Sequence, residues 1–432
     1  MEFITWLANN FFGTPAILLG IIVLIGLLLQ KKTASQTITG TFKAIIGFLI
    51  IDAGSGIIVG ALTVFEPLWA EVFGLEATEL GSYMGQEAFN SEFGSAVTLA
   101  MTLGFLLNVL LARFTPFKYI YLTGHMMFWT TTIFAGVIVQ AAGGTIGFWP
   151  LVLILTVIMG LYWTFQPAVT QPMVRRITGG DKVALGHTSA SAGLLGALMG
   201  KLFGNKEQDA EKIEMPKGLE FLRDNNVITA LTMALLFMTG AFILLGKSTP
   251  EAEALIASAG TQNFVIYSLI QSFKFAAGIA VVLYGVRMFV GEIVPAFRGI
   301  ATKLVPGARP ALDAPILYTY APNSVILGFL GAFVGAIIWL IVLGSTVGYV
   351  FVPTMIVLFF HGAVGGIFGN ETGGIRGALL GGFMTATLVA WGQYFMVTFL
   401  VDSTIPDTAM RAADSDMFLL GPIIRFIAQL LF

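Results

Sequence analysis

Long apolar runs recur along the whole sequence, and they constrain its fold more than any other feature. A helix needs about 20 mostly apolar residues to cross a bilayer. Only 11% of the residues are charged, whereas a soluble domain carries about 25%. The sequence therefore predicts an all-α polytopic membrane protein with about eleven transmembrane helices. We place them near residues 15–30, 38–63, 94–112, 127–142, 147–165, 226–246, 263–290, 324–343, 347–365, 377–401 and 417–431.

Basic residues indicate which loops face the cytoplasm, because Lys and Arg accumulate on that side of a membrane protein. The stretch 175–223 holds eight Lys and Arg residues, and Lys31 and Lys32 follow the first apolar run. Residues 64–93 hold six glutamates and neither Lys nor Arg. With eleven crossings the basic loops all fall on one side. We therefore predict that the N-terminus lies outside and the C-terminus lies in the cytoplasm.

One short pattern, Phe-Lys-x-x-x-Gly, occurs at 42–47 and again at 273–278, each time in the second strong apolar run of its half. These two runs would cross the membrane in opposite directions, as in transporters built from inverted repeats. We predict a first repeat over 1–204, a cytoplasmic linker over 205–224, and a second repeat with a terminal helix over 225–432. A chance match in an apolar chain is the alternative interpretation.

The lysines of this pattern, Lys43 and Lys274, are predicted to be buried in protein near opposite faces of the membrane. An unpaired charge at the centre of a membrane helix costs at least about 2.5–3.5 kcal/mol, so each should have a partner. Asp52 is the first candidate, because it lies in the same apolar run as Lys43.

Polar clusters interrupt several apolar runs, where broken helices place transporter sites. Asp52-Ala-Gly-Ser-Gly is predicted to break the second run, and the apolar piece at 189–203 is predicted to be a re-entrant or interfacial helix. His125, His187 and Asp313 stand in further clusters. Converging donors and acceptors of this kind suit a polyol. Each cluster also has a structural interpretation, since such residues commonly cap helices or close turns.

Five motifs carry a resemblance that runs nearly from end to end. They are TGHMMF, LGH, YGVRMFVGE, LVPGARPALDAPILYTYAPNSVILGF and FGNETGGIRGA, preceded by GTFKAIIGFLIIDAGSGI. In this order they resemble the ascorbate-type IIC permease of the bacterial phosphoenolpyruvate-dependent sugar phosphotransferase system. The motifs are separate, and their order and spacing match.

The resemblance implies a homodimer in the bacterial cytoplasmic (inner) membrane. Each protomer would have a core domain that holds the sugar and a scaffold domain that makes the dimer, and the core would move as an elevator. L-ascorbate or a related sugar acid would be carried inward and phosphorylated by a separate IIB protein, which receives phosphate through IIA and bears it on cysteine. This sequence contains no cysteine, so it is not expected to carry the phosphoryl group. No cofactor or metal is implied, and whether the permease counts as an enzyme stays open.

The resemblance also implies a set of substrate-binding residues. Those that match polar positions of the family's pocket are Ser55, Tyr83, His125, His187 and Asp313, with Asp313 as a candidate base for phosphoryl transfer. Ser82 is also included, because it keeps a hydroxyl where the family can have threonine. Trp129 and Thr188 stand where the ascorbate transporters have glutamine. Because a glutamine side chain both donates and accepts, these two departures leave a related sugar or sugar acid open as the substrate.

Two other classes of function remain open from the residues themselves. An ion-coupled secondary transporter could use Lys43, Asp52 and Lys274 as a relay, since ionisable groups inside a membrane serve that purpose too. A membrane-embedded enzyme acting on lipid ranks last, because the sequence has no pair of Asp-rich runs that would hold a metal.

Overall fold

The protein is described by a computed structural model that covers residues 15–75, 86–144, 146–213, 221, 224–349, 351, 354–399 and 413–431. Its described part is mostly helical. The helices are α1 (Pro15–Leu29), α2 (Ala34–Phe73), α3 (Gln86–Phe114), α4 (Gly124–Ala141), α5 (Phe148–Thr178), α6 (Ala190–Phe203), α7 (Asn225–Leu244), α8 (Pro250–Ala257), α9 (Phe264–Lys303), α10 (Pro315–Tyr318), α11 (Pro322–Val347), α12 (Met355–Phe399) and α13 (Ser415–Leu431).

Seven of the described helices are long and apolar enough to cross a bilayer: α2, α3, α5, α7, α9, α11 and α12. This confirms a polytopic membrane protein. Two further helices, α1 and α6, are apolar but shorter. The helices extend well past the predicted runs, because polar residues continue the hydrogen-bonded turns beyond the apolar stretch.

A long antiparallel pair of helices, α2 and α9, forms one side of the molecule. α2 begins at a capping box, in which the Thr33 side chain and the Gln36 side chain each accept from the other's backbone N–H at 3.2 Å. A Cβ added to Gly47 would lie 2.8 Å from the backbone nitrogen of Phe289, so only glycine permits this close approach. Small residues at such contacts are typical of membrane helices.

The predicted break of the second apolar run at Asp52 is wrong, since α2 is continuous through it. The glycine at position 54 serves packing instead: a Cβ there would lie 2.7 Å from the backbone nitrogen of Val282 on α9. Glycine in an apolar run therefore marks a helix contact here rather than a helix end.

The prediction that Lys43 and Lys274 are buried is also wrong within this chain, because both side chains are exposed. Ala44 faces α9, and its neighbour Lys43 points about 100° away around the helix. Asp52 is exposed as well, and within the described residues no carboxylate pairs with either lysine.

The two lysines do lie toward opposite ends of the helix pair. Gly278, one turn after Lys274, packs against Ile58, which is far along α2 from Lys43. At 1.5 Å per residue, the lysines are roughly 25–30 Å apart along the pair. This spacing agrees with the predicted placement near opposite faces.

A helical hairpin, α12, packs against α6 and α11. Its backbone leaves helical geometry at Gly373 and Gly374. A Cβ on Gly369 would lie 2.0 Å from the carbonyl oxygen of Gly377, and one on Gly365 would lie 2.7 Å from that of Gly381. The arm after the turn therefore runs back along the arm before it. The glycine cluster of FGNETGGIR, predicted to lie between two apolar runs, is confirmed as this turn.

Helix α6 is inserted against that hairpin and confirms a short helix in the 189–203 piece. A Cβ on Gly196 would lie 2.2 Å from the carbonyl oxygen of Gly365. The small residues of this segment thus form the face of α6 that contacts α12.

Part of the predicted solvated linker is anchored in the protein instead. The Glu211 carboxylate accepts from the backbone N–H and the hydroxyl of Ser324 at 2.8 and 2.7 Å. Ala210 is buried, and its N–H donates to the side chain of Asn370. Burial raises the pKa of Glu211, while the bonds from Ser324 oppose that rise. This segment therefore ties the start of α11 to the turn of α12.

A small parallel sheet, which the sequence analysis missed, accompanies the mostly helical fold. Its strands are β1 (Tyr119–Tyr121), β2 (Ala184–Leu185) and β3 (Arg309–Leu312), in the order β1-β3-β2. Both pairings are parallel, with Tyr121 and Ala184 opposite Ala311. Strands of two to four residues are too short to show a period in the sequence.

Candidate functional site

Three residues predicted for the site follow the carboxyl ends of the three strands. Parallel strands bring these ends to one edge of a sheet, where α/β proteins bind ligands. The chain stays paired beyond the strands, since the Leu122 N–H donates to Ala311 and the Gly186 N–H donates to Leu312. The site residues themselves are His125 after β1, His187 after β2 and Asp313 after β3.

The two imidazoles approach different oxygens of one carboxylate. His125 Nε2 lies 3.5 Å from Asp313 Oδ2, and His187 Nε2 lies 3.7 Å from Asp313 Oδ1. Both distances exceed those of direct hydrogen bonds, so the two imidazoles and the carboxylate keep hydrogen-bonding capacity for a ligand. His125 is 49% exposed, Asp313 24% and His187 3%, so the group opens on the His125 side.

His187 is held in one orientation and stays uncharged. Its Nδ1 lies 2.9 Å from the Ser189 hydroxyl. The residue lies in the connection between β2 and α6, outside the seven long apolar helices, and burial lowers its pKa to about 4 although Asp313 opposes the shift. A neutral imidazole at this place can donate or accept one hydrogen bond with a sugar hydroxyl.

The third histidine of the sequence lies behind this group, on the first arm of α12. The His361 ring centroid is 4.9 Å from that of His187. Its Nε2 lies 3.1 Å from Asp414 Oδ1, and its Nδ1 lies 2.8 Å from the Ser415 hydroxyl. His361 and Asp414 are both buried. A buried carboxylate needs such a partner, because desolvating an unpaired charge is costly.

Asp414 also binds Thr188, one of the predicted substrate ligands. The Thr188 hydroxyl donates to Asp414 Oδ2 at 2.5 Å and also contacts the Met126 sulfur at 3.2 Å. Thr188 is fully buried. Its hydroxyl is therefore engaged within the protein in this conformation, and it supports the His187 loop from behind.

A second buried carboxylate, Asp416, fixes the start of α6. Asp416 Oδ1 accepts from the backbone N–H and the hydroxyl of Ser191 at 2.7 and 2.6 Å, and Oδ2 accepts from Tyr162 at 2.8 Å. Negative charge is favoured at a helix N-terminus. The 413–416 segment thus holds both the His187 loop and α6 in place.

Sequence analysis missed His361, Asp414 and Asp416. A usable signal was present, because the sequence holds only three histidines and ionisable residues inside membrane proteins are usually functional or paired. Nothing in the sequence brought position 414 next to position 361, since that contact depends on the path of α12 and α13.

A cleft beside Asp313 faces the α2–α9 pair. Phe48 and Ile51 of α2 line it, together with Phe289 of α9 and Thr123. Ser55 lies one turn beyond Ile51 on α2 and is half-buried. The cleft therefore lies between the helix pair and the strand ends.

The other predicted ligands are placed less directly. Trp129 lies one turn after His125 on α4 and packs partly against the core. Ser82 and Tyr83 lie outside the described residues. The structure thus brings His125, His187 and Asp313 together and leaves the roles of the remaining ligands as predictions.

Comparison with known proteins shows the family of this chain. A family model described as EIIC-GAT, the PTS system sugar-specific permease component, matches residues 10–417. A curated relative, the ascorbate-specific PTS system EIIC component of Mycoplasma pneumoniae, is 28% identical over 422 residues, which cover 86% of this chain and 63% of the relative. The chain thus spans less than two thirds of that relative's length. Because the family model matches nearly the whole sequence, the chain belongs to the sugar-specific permease (EIIC-GAT) family of the phosphotransferase system.

Proposed function

We propose that this protein carries L-ascorbate or a related sugar acid inward and releases it as a phosphorylated product. The observation that carries the proposal is the group of two histidines around Asp313 at the strand ends of a polytopic permease. Hydroxyl-rich ligands need converging donors and acceptors in a mostly apolar pocket. The relative from Mycoplasma pneumoniae, described as ascorbate-specific, supports the substrate class.

In the proposed reaction a sugar hydroxyl attacks the phosphorus of a phosphocysteine on a soluble IIB protein, which IIA recharges. The new O–P bond forms, the S–P bond breaks, and the cysteine leaves as thiolate. Asp313 accepts the hydroxyl proton, and His125 and His187 orient the sugar. The 432 residues contain no cysteine, so the thiol comes from outside them.

The architecture proposed for transport has eleven crossings in two inverted repeats over 1–204 and 225–432. It is a homodimer in the bacterial cytoplasmic membrane, with the N-terminus outside. The α2–α9 pair would belong to the scaffold, and α6, α11 and α12 with the strand ends would belong to the core that moves as an elevator. The cleft between these two groups supports this division, as does the glycine packing inside each.

Two positions bear on the exact sugar. Trp129 offers one N–H donor and a large ring where the ascorbate transporters have glutamine. Thr188 has its hydroxyl bound to Asp414. The pocket would therefore offer the substrate fewer amide contacts than an ascorbate transporter does. A sugar acid related to ascorbate is for this reason as good a candidate substrate as ascorbate itself.

The alternative, an ion-coupled carrier with a relay through Lys43, Asp52 and Lys274, has no support in the geometry. All three side chains are exposed, and the two lysines lie toward opposite ends of the α2–α9 pair. A relay requires neighbouring groups within hydrogen-bonding reach.

Transport in proteoliposomes tests the proposal. We expect labelled ascorbate to accumulate only as a phosphorylated product, and only with IIA, IIB, the general phosphotransferase proteins and phosphoenolpyruvate present. Omitting IIB alone is the matched control and should abolish accumulation. Uptake of unmodified sugar driven by a proton or sodium gradient, without these proteins, would contradict the proposal and favour the ion-coupled carrier.

A further inference from the structure

Six basic residues gather at the opposite edge of the sheet, where the three strands begin. Lys118 precedes β1, Lys182 precedes β2 and Arg309 opens β3. We call this group the strand-start surface, and its members are Arg113, Lys118, Arg175, Arg176, Lys182 and Arg309.

Direct contacts join most of this surface. The Arg309 N–H donates to the Lys118 carbonyl at 2.7 Å, and the Lys118 ammonium donates to the Arg113 carbonyl at 3.1 Å. Arg175 and Arg309 both reach Asp181, at 3.1 and 2.6 Å. Lys182 adjoins Asp181 and Arg176 adjoins Arg175 in the sequence.

The surface carries an excess of positive charge in an ordered arrangement. Arg175 and Arg309 both donate to the Asp181 carboxylate, which orients the two guanidinium groups. Arg175 contacts both carboxylate oxygens, at 3.2 and 3.1 Å. Burial raises the pKa of Asp181, but the Gln171 hydrogen bond and the two arginines outweigh it and hold that pKa below its usual value. Arg176 and Lys182 are exposed, so they remain available to a partner.

The strands connect this surface to the sugar site. β3 runs from Arg309 to Leu312, and Asp313 follows at once. At about 3.3 Å per residue, the Arg309 and Asp313 backbones are roughly 13 Å apart. Every strand of the sheet thus has a cation at its start or just before it, and a site residue beyond its end.

Resting on the proposed function, we propose that the strand-start surface docks the phosphate-bearing protein. Its partner would be a soluble protein with a phosphorylated side chain and acidic residues around it. Oriented guanidinium groups bind the carboxylates of a protein partner in a fixed geometry, which leaves the partner's phosphate free to reach the sugar beside Asp313. Attraction to anionic lipid headgroups needs only net positive charge nearby. The ordered Asp181 network and its connection to Asp313 favour the protein.

Charge reversal of the two exposed cations tests this. We expect Arg176→Glu with Lys182→Glu to weaken binding of phosphorylated IIB to the purified permease at least tenfold, with a steeper loss at low salt. Ascorbate binding should stay at the parent level, because neither residue lines the site. The matched control is Lys32→Glu with Lys201→Glu, which reverses two exposed charges elsewhere and should bind phosphorylated IIB as the parent does.

The possible results separate the docking proposal from the proposed function. Parent-like IIB binding and sugar phosphorylation by the reversed variant would overturn the docking surface while the function stands. A transport defect that appears only in nanodiscs with anionic lipid, with unchanged IIB affinity, would assign the surface to headgroups and also overturn it. Failure of the parent itself to phosphorylate sugar with IIB would instead contradict the proposed function.

Discussion

Replacing Asp414 with alanine is expected to lower the free energy of unfolding by about 2–6 kcal/mol, because two buried groups lose their hydrogen-bond partner at about 1–3 kcal/mol each. His361 would lose its Nε2 contact, and the Thr188 hydroxyl would lose its acceptor. The measurement is the melting temperature of the purified protein in detergent, with ascorbate absent. A pronounced fall is expected.

Two further variants make this result specific. Thr188→Val removes a single hydrogen bond to Asp414, so a smaller loss of about 1–3 kcal/mol is expected. Glu207→Ala removes an exposed carboxylate in the connection after α6 and should change stability by no more than about 0.5 kcal/mol. If Asp414→Ala has the same melting temperature as the parent, the contact with His361 does not hold the site together.

Asp313→Asn and His187→Ala are each expected to weaken substrate binding at least tenfold, which is about 1.4 kcal/mol. Asp313→Asn keeps the shape of the side chain but removes one acceptor. His187→Ala removes the ring that faces Asp313. Polar groups left unsatisfied in a buried site cost about 1–3 kcal/mol. Calorimetric titration of ascorbate and a panel of sugar acids into purified protein measures the effect.

The control for these variants is Asp224→Asn, which alters an exposed carboxylate at the start of α7 far along the chain. It should bind substrate as the parent does. All three proteins should elute as the parent does in size exclusion, which shows that the fold is intact. If Asp313→Asn and His187→Ala both bind like the parent, these residues only cap or brace the strand ends.

The glycines show which features of the helices the local sequence could predict and which it could not. The cluster FGNETGGIR lies between two predicted apolar runs, and its Gly373–Gly374 pair forms the turn of α12. Gly54 was predicted to lie at a break, yet it lies inside a continuous helix against Val282. Glycine serves both turns and close helix contacts, and the local sequence does not distinguish them.

The site shows the same division. His125, His187 and Asp313 are predicted as ligands because polar motifs in an apolar chain are conspicuous, and the family resemblance implies their role. The sequence did not predict that all three follow the ends of parallel strands, because strands this short show no periodic pattern of apolar residues. His361 and Asp414 were missed because their contact joins α12 to the segment before α13.

By itself the sequence determined the membrane class, the helical majority and the family, because apolar length and ordered motifs are local properties of the chain. Only the tertiary structure decided which residues meet. It assembled a sheet from segments near positions 120, 185 and 310 and placed Asp414 behind the site. It also left Lys43 and Lys274 on an outer face. These outcomes depend on how helices pack against one another, and packing joins residues that are far apart in the chain.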